Sequence, residues 1–138
     1  MGRILAIDYG TKRTGLAVTD PSRIIATPLD TVDTSKLLTY LADYTRKETV
    51  DEFVVGMPKT LMNEDSAIAP LVRTFVVELE KTFPGKPIHL ADERFTSKLA
   101  QRAMIDGGMK KKERRKKENV DRISATIILQ SFMDSRKF

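Results

Sequence analysis

Carboxylate side chains follow two apolar, strand-like runs of the sequence, and another lies near the start of a helical pattern. Asp8 ends the first run, Asp92 and Glu93 end the second, and Asp121 is at the helical position. A carboxylate beside an apolar strand loses hydration, which is costly unless a cation or hydrogen-bond donors compensate. Carboxylates brought together also repel, so a cluster of them favours a bound divalent cation. These residues therefore predict a metal site.

The residue types available limit which metal such a site could hold. The chain has no cysteine and one histidine, His89, which excludes a thiolate site or a histidine-rich zinc site. Oxygen donors alone select Mg²⁺ or Mn²⁺, and next to a basic segment these ions indicate phosphoryl chemistry. Structural roles are also open to the carboxylates, as turn caps, strand ends or helix-dipole partners. Only Asp8, in a strand expected to be buried on both faces, favours function by itself.

The positive charge of the chain is concentrated in one segment. Residues 110–118, "KKKERRKKE", have a net charge of +5, which is the net charge of the whole chain. Such a segment is expected to be exposed and to bind a polyanion, a nucleic acid or an acidic membrane surface. A solvated linker is the alternative interpretation. The cations expected to contact substrate are Lys110, Lys111, Lys112, Arg114 and Arg115.

Two further short segments carry candidate phosphate contacts. Thr11, Lys12 and Arg13 follow Asp8 directly, where backbone amides and two cations could bind a phosphate. Lys59 lies in the loop "GMPKTLMNED" after another apolar run. A hydrophilic turn explains the first segment equally well on local grounds.

The elements that must position these residues follow from hydrophobic periodicity and turn signals. Strands are predicted over 3–8, 14–19, 23–29, 53–55 and 88–91, and helices over 35–47, 66–82, 96–105 and 119–135. This order predicts an α/β fold with a mixed five-stranded sheet, its first three strands antiparallel and the later two parallel, and helices on both faces. Strand 3–8 is apolar on both faces and should be central. Asp8 would then lie at a strand end, where ligands bind in such sheets.

Length and composition bound the remaining possibilities. A chain of 138 residues fits a single domain, residues 1–138, with its own core. No apolar stretch approaches the roughly 18 residues of a membrane span. The absence of cysteine suits a reducing compartment, so we expect a cytoplasmic protein without a membrane partner.

Four segments, "AIDYGTKRTGLAVTD", "VVGMP", "ADERFTS" and "NVDRISATIILQ", resemble the signature segments of the YqgF (RuvX) family over nearly the whole chain. The resemblance implies a ribonuclease H-like fold and a nuclease that processes the 5′ end of the 16S rRNA precursor in ribosome biogenesis. It also implies the metal ligands and catalytic residues, which are Asp8 in "DYG", Glu93 in "DER" and Asp121 in "VD", with Arg94 of "DER" as a substrate contact.

The sequence departs from RuvC-like relatives at the second acid. In those relatives this acid ends the fourth strand, whereas here that strand ends in Gly56 and the acid comes from the next strand. With strands about 4.8 Å apart, Asp8 and Glu93 would lie about 10 Å apart at their backbones. A shared metal would require the glutamate to reach across the space that the glycine leaves. The loop after "VVGMP" also differs, because it reads "LMNEDS" where the family often has a glycine.

Several functions fit these patterns. Structured RNA is the favoured substrate and junction DNA the alternative, and a non-catalytic RNA-binding assembly factor would retain the same fold. "IDYGTKRTGLAV" also resembles the first phosphate loop of actin-like ATPases and sugar kinases, but those enzymes need two such domains. We expect a monomer or a weak homodimer, although a resolvase should be a dimer because it cuts a two-fold junction.

Overall fold

A computed structural model describes residues 2–57, 68–92 and 117–135. The strands are β1 (Arg3–Asp8), β2 (Arg13–Thr19), β3 (Ala26–Asp33), β4 (Val50–Met57) and β5 (Ile88–Asp92), and the helices described are α1 (Leu37–Lys47), α2 (Ala69–Thr82) and α3 (Lys117–Ser135). The strands form one sheet in the order β3-β2-β1-β4-β5. The pairs β1–β2 and β2–β3 are antiparallel, and β1–β4 and β4–β5 are parallel. The predicted mixed sheet with β1 at its centre is confirmed.

Strand β1 is central because its side chains enter two separate cores. Leu5 and Ile7 pack with the apolar residues of α1 and α2 on one face of the sheet. Ile4 and Ala6 pack on the other face against α3, which contributes the buried apolar residues Ala125, Ile128, Leu129 and Met133. The period-two alternation of a strand thus divides one apolar run between two layers of helices.

The prediction for the third strand was wrong at both ends, because β3 runs from Ala26 to Asp33. A tight turn occupies the preceding residues, in which the Asp20 carboxylate accepts hydrogen bonds from three backbone N–H groups, those of Ser22, Ile24 and Ile25. Arg23 in this turn has a φ of 59°. Pro28 lies inside the edge strand, next to a register shift between β2 and β3, where a missing N–H is tolerated.

The other bounds differ less. β4 extends over Val50–Met57, beyond the predicted 53–55, because it pairs with β1 on one side and with β5 on the other. A 3₁₀ turn, Thr34–Lys36, precedes α1. Helix α3 begins at Lys117, two residues before the predicted start. The helix predicted over 96–105 lies outside the described residues.

In the part of the chain that the structure describes, no helix is long and apolar enough to cross a membrane.

Candidate active site

Asp8 is the last residue of β1 and is half-buried. It pairs with Gly15 of β2, and the residue before it, Ile7, is in register with Val55 of β4. Asp8 continues the alternating series of Ile4 and Ala6, which pack on the α3 face of the sheet. The structure therefore places this carboxylate at the carboxyl end of the central strand, on the face that α3 covers.

The turn after Asp8 is held in one shape by two threonine hydroxyls. Thr34 Oγ1 donates to the Gly10 carbonyl oxygen at 2.7 Å and lies 2.9 Å from Thr14 Oγ1. The Thr34 backbone N–H donates to the Lys12 carbonyl oxygen at 2.9 Å. A Cβ atom at position 10 would overlap the Arg13 carbonyl oxygen, so only glycine fits there. This network links β2 and the 3₁₀ turn before α1 to the turn that follows Asp8.

Sequence reasoning missed Thr14 and Thr34. Thr14 is fully buried between Arg13 and the apolar part of β2, and a buried hydroxyl must find a hydrogen-bond partner. A polar residue at an inward-facing strand position is the local signal that could have identified Thr14. Thr34 carried no comparable signal, because its partners lie 20 and 24 residues away.

The three phosphate-contact candidates after Asp8 lie on or beside this turn. Thr11 and Lys12 are exposed, whereas Arg13 is partly buried and starts β2 opposite Asp33. The hydrogen bond from the Thr34 N–H fixes the Lys12 backbone in the turn after Asp8, while the Lys12 side chain is exposed to solvent. This arrangement can bring a cation to a phosphate at the end of β1.

The end of β5 lies two strands away from Asp8 in the sheet. Gly56 of β4 is in register with Ala91, and Met57 with Asp92. With a strand spacing of about 4.8 Å, the β1 and β5 backbones are separated by about 10 Å. Gly56 places no side chain in this gap. Asp92 is the last described residue of β5, and Glu93 and Arg94 lie outside the described residues.

Asp121 belongs to the N-terminal part of α3. The opposite part of this helix contacts the beginning of β5, where the Phe132 ring lies 4.8 Å from the His89 ring. His89 Nε2 is 2.9 Å from Glu52 Oε1, so His89 contacts both the neighbouring strand β4 and α3.

Within residues 2–57, 68–92 and 117–135, no three His, Cys, Asp or Glu residues come together as a metal-binding group. The predicted convergence of Asp8, Glu93 and Asp121 involves Glu93, which is outside these ranges, and therefore stays a prediction. The predicted substrate contact Lys59 also lies outside the described residues. The same is true of the contacts predicted in the basic segment, which are Lys110, Lys111, Lys112, Arg114 and Arg115.

Comparison with known proteins identifies close relatives. A protein of Amoebophilus asiaticus named "Putative pre-16S rRNA nuclease" is 53% identical over 99% of this chain and 97% of its own length. A protein of Porphyromonas gingivalis with the same name is 53% identical over 98% of each chain.

Solved structures show the same fold at low sequence identity. T. thermophilus RuvC in complex with a Holliday junction substrate has a TM-score of 0.58 and 16% identity, covering 99% of this chain and 96% of that one. The fowlpox virus resolvase in complex with Holliday junction DNA has a TM-score of 0.59 and 14% identity, covering 96% and 97%. The predicted ribonuclease H-like fold is therefore confirmed.

A family model described as "RuvX: Holliday junction resolvase" matches residues 2–135. With this match and with relatives about half identical over their full length, the chain belongs to the RuvX (YqgF) family.

Proposed function

We propose that this protein is a metal-dependent endonuclease that hydrolyses phosphodiester bonds of the 16S rRNA precursor, at its 5′ end, during ribosome biogenesis in the cytoplasm. The observation that carries the proposal is the position of Asp8, a half-buried carboxylate at the end of the central strand beside a fixed turn. The names of the full-length relatives support rRNA as the substrate.

The metal ligands in this proposal are Asp8, Glu93 and Asp121, and the ion is Mg²⁺ or Mn²⁺. These oxygen donors suit a hard cation, and the β4 residue at the level of Ala91 is a glycine, Gly56, which contributes no side chain of its own between the ends of β1 and β5. When bound, the ion would supply an activated water and charge stabilisation for the leaving oxygen.

Backbone register supports Glu93 over Asp92 as the ligand from β5. Asp92 is in register with Met57, and Met57 belongs to the core under α1 and α2. Neighbouring strand residues alternate between faces, so the residue after Asp92 is the one expected on the face of Asp8.

The length of α3 is compatible with Asp121 as a ligand. Phe132 contacts His89, and His89 is in register with Val54, which is itself beside Ala6. From Phe132 back to Asp121 the helix extends about 16 Å, whereas β1 rises only about 7 Å from Ala6 to Asp8. The helix is therefore long enough to bring Asp121 to the sheet edge where Asp8 lies.

Within this site the chain's own residues have separate tasks. Asp8 would hold the metal from the end of β1, and Lys12 and Arg13 would bind the phosphates beside the one that is cut. The threonine network around Gly10 keeps these groups at fixed positions, which is the requirement for a precisely placed reaction. The protein would act as a monomer or weak homodimer.

The test is cleavage of a 16S rRNA precursor by purified protein with Mg²⁺ or Mn²⁺, comparing wild type with Asp8→Asn. We expect cleavage to fall by about 100-fold or more, since a charge that acts on the reacting centre is removed, while RNA binding persists. Asp43→Asn, an exposed α1 position whose carboxylate pairs with Arg46, is the matched control and should cleave normally.

Three results would contradict the proposal. Unchanged cleavage by Asp8→Asn would show that this site does not perform the reaction. RNA binding by wild type without cleavage under either metal would favour a non-catalytic assembly factor. Cleavage of a four-way DNA junction but not of RNA would favour the alternative substrate, which the family description also names.

A further inference from the structure

A groove lies on the opposite face of the sheet edge from Asp8, between the start of α1 and one side of α2. Its volume is about 300 Å³, at the lower end of ligand-binding pockets. Tyr9, the residue after Asp8, forms part of its wall. Its lining includes Thr34 and Ser35 of the 3₁₀ turn before α1, and Leu71, Phe75 and Glu78 of α2.

The lining favours a flat, neutral ring over a phosphate. The Tyr9 ring stacks on Phe75 with centroids 5.0 Å apart and planes inclined by 29°. Leu71 is 47% exposed at this surface, and Ser35 adds a hydroxyl. Among the described residues that line the groove there is one carboxylate, Glu78, and neither lysine nor arginine. A phosphate would be repelled by Glu78, whereas a group with N–H donors would be attracted.

We propose that this groove is a base-binding subsite for one unstacked base, guanine in preference, of the RNA strand whose phosphate lies at Asp8. The proposal rests on the proposed nuclease function and specifies how its substrate is held. Unstacked RNA bases are commonly bound by stacking on aromatic side chains and by hydrogen bonds to their edges. Guanine presents two adjacent N–H donors on one edge, N1–H and N2–H, which a single carboxylate can accept together.

The position of the groove relative to Asp8 fits one continuous strand of RNA. Asp8 and Tyr9 are consecutive at the end of β1, with Cα atoms about 3.8 Å apart, and their side chains lie on opposite faces. Asp8 is on the α3 face, and Tyr9 packs on the core of α1 and α2. A strand that crosses this edge could therefore place a phosphate at Asp8 and an adjacent base against Tyr9, with Lys12 in solvent beside both.

The test measures binding of labelled RNA decamers by fluorescence anisotropy in EDTA, where no metal-dependent cleavage occurs. One decamer is all uridine, and the other has one central guanosine. We expect wild type to bind the guanosine decamer about tenfold more tightly, and Glu78→Gln to reduce this ratio to below about twofold, because the neutral amide cannot form the charge-assisted bonds.

Glu80→Gln is the matched control, since Glu80 is exposed on the same helix and does not line the groove. Both variants change the net charge equally, so only a subsite effect separates their ratios, and Glu80→Gln should keep the wild-type preference. Leu71→Trp, a change at an exposed position, should fill the groove and abolish the preference without altering the fold.

The subsite proposal is wrong if the wild type binds both decamers equally. It is also wrong if the Glu78→Gln variant keeps the wild-type ratio of affinities. Because the measurement needs no cleavage, its outcome is separable from the nuclease proposal. If cleavage depends on Asp8 but the guanosine preference is absent, the subsite proposal is contradicted and the nuclease proposal stands. If the guanosine preference is present but no RNA is cleaved, the nuclease proposal is contradicted and the base-binding groove stands.

Discussion

At the scale of single residues, Gly10 determines the shape of the turn beside Asp8. We expect Gly10→Ala to lower both stability and cleavage, because its Cβ would overlap the Arg13 carbonyl oxygen and the hairpin must shift. Gly85→Ala is the control: Gly85 has a φ of 85° and open space around its Cβ, so it should cost about 1–2 kcal/mol of conformational strain without changing cleavage.

Both glycine variants should be compared by urea unfolding and by cleavage rate per folded molecule. Equal cleavage rates for the two would show that the turn does not position the site. A reduced rate for Gly10→Ala alone would separate the position of the turn from stability in general.

Asp51 makes stability depend on pH at the other end of the sheet. Its carboxylate accepts from the Gly2 backbone N–H at 2.9 Å and from Arg23 Nη2 at 2.6 Å. The Gly2 hydrogen bond, assisted by Arg23, holds the Asp51 pKa below its ordinary value of 3.8. A carboxylate whose pKa is lowered by folding stabilises the protein above its unfolded pKa, and this contribution disappears as pH falls through the folded value.

We therefore expect Asp51→Asn to lower the free energy of unfolding at pH 6 and to flatten its decline below about pH 4. Urea unfolding between about pH 6 and pH 3 measures both effects. Asp43→Asn, which alters an exposed pair, should leave the pH profile as in wild type. If Asp51→Asn is less stable than wild type by the same amount at every pH, the pH dependence of stability does not come from this carboxylate.

At the scale of elements, α3 is the structural support for the predicted Asp121 ligand. Leu129 is fully buried where the helix crosses the sheet, and Leu129→Ala should lower the free energy of unfolding by about 2–5 kcal/mol. Gln130→Ala, at the exposed neighbouring position, should cost less than about 0.5 kcal/mol. Thermal or urea unfolding tests the pair, and similar destabilisation by both would contradict the packing of α3 on this face.

The sequence predicted elements well where local periodicity decided them and poorly where distant partners did. β1 was correctly expected at the centre because both its faces are apolar. β3 was misplaced because the turn before it depends on Arg23, which pairs with Asp51 and Glu52 at 2.6 Å and 3.1 Å from another strand. No pattern near Arg23 could reveal partners 28 and 29 residues away.

In the candidate site, too, local signals were read correctly and contacts between distant residues were missed. The position of Asp8 at the end of the central strand was predicted correctly, because a carboxylate follows a run of four apolar residues in a strand with two apolar faces. The threonine network around Gly10 was not predicted, since the pairing of β2 with β3 is what places Thr34 beside this turn. Tyr9 and Glu78 share a groove only because α2 packs against the sheet beside the end of β1.

At the scale of the whole molecule, the net charge of +5 equals that of residues 110–118. The prediction that this segment delivers nucleic acid to the site follows from its charge density, since clustered cations neutralise phosphates and release counterions. A solvated linker with the same net charge would lack this effect on binding.

Replacement of five cations of this segment by glutamine should weaken RNA binding broadly across sequences and flatten its salt dependence, by about 0.7–0.9 in slope for each phosphate that is no longer neutralised. Stability should change little, because the segment contains no aliphatic or aromatic residue. Anisotropy titrations between low and moderate salt give both the affinity and the slope. The substituted residues are Lys110, Lys111, Lys112, Arg114 and Arg115.

The control removes the same number of charges from α1, α2 and the turn before α1, by substitution of Lys36, Arg46, Lys47, Arg73 and Lys81 with glutamine. If net charge alone attracts the RNA, both five-fold variants should show equally reduced affinity and salt slope. If the segment contacts phosphates, the control should keep most of the wild-type slope, because long-range attraction is screened beyond about 10 Å in roughly 0.1 M salt. Wild-type affinity and slope in the segment variant would leave a solvated linker as the interpretation of residues 110–118.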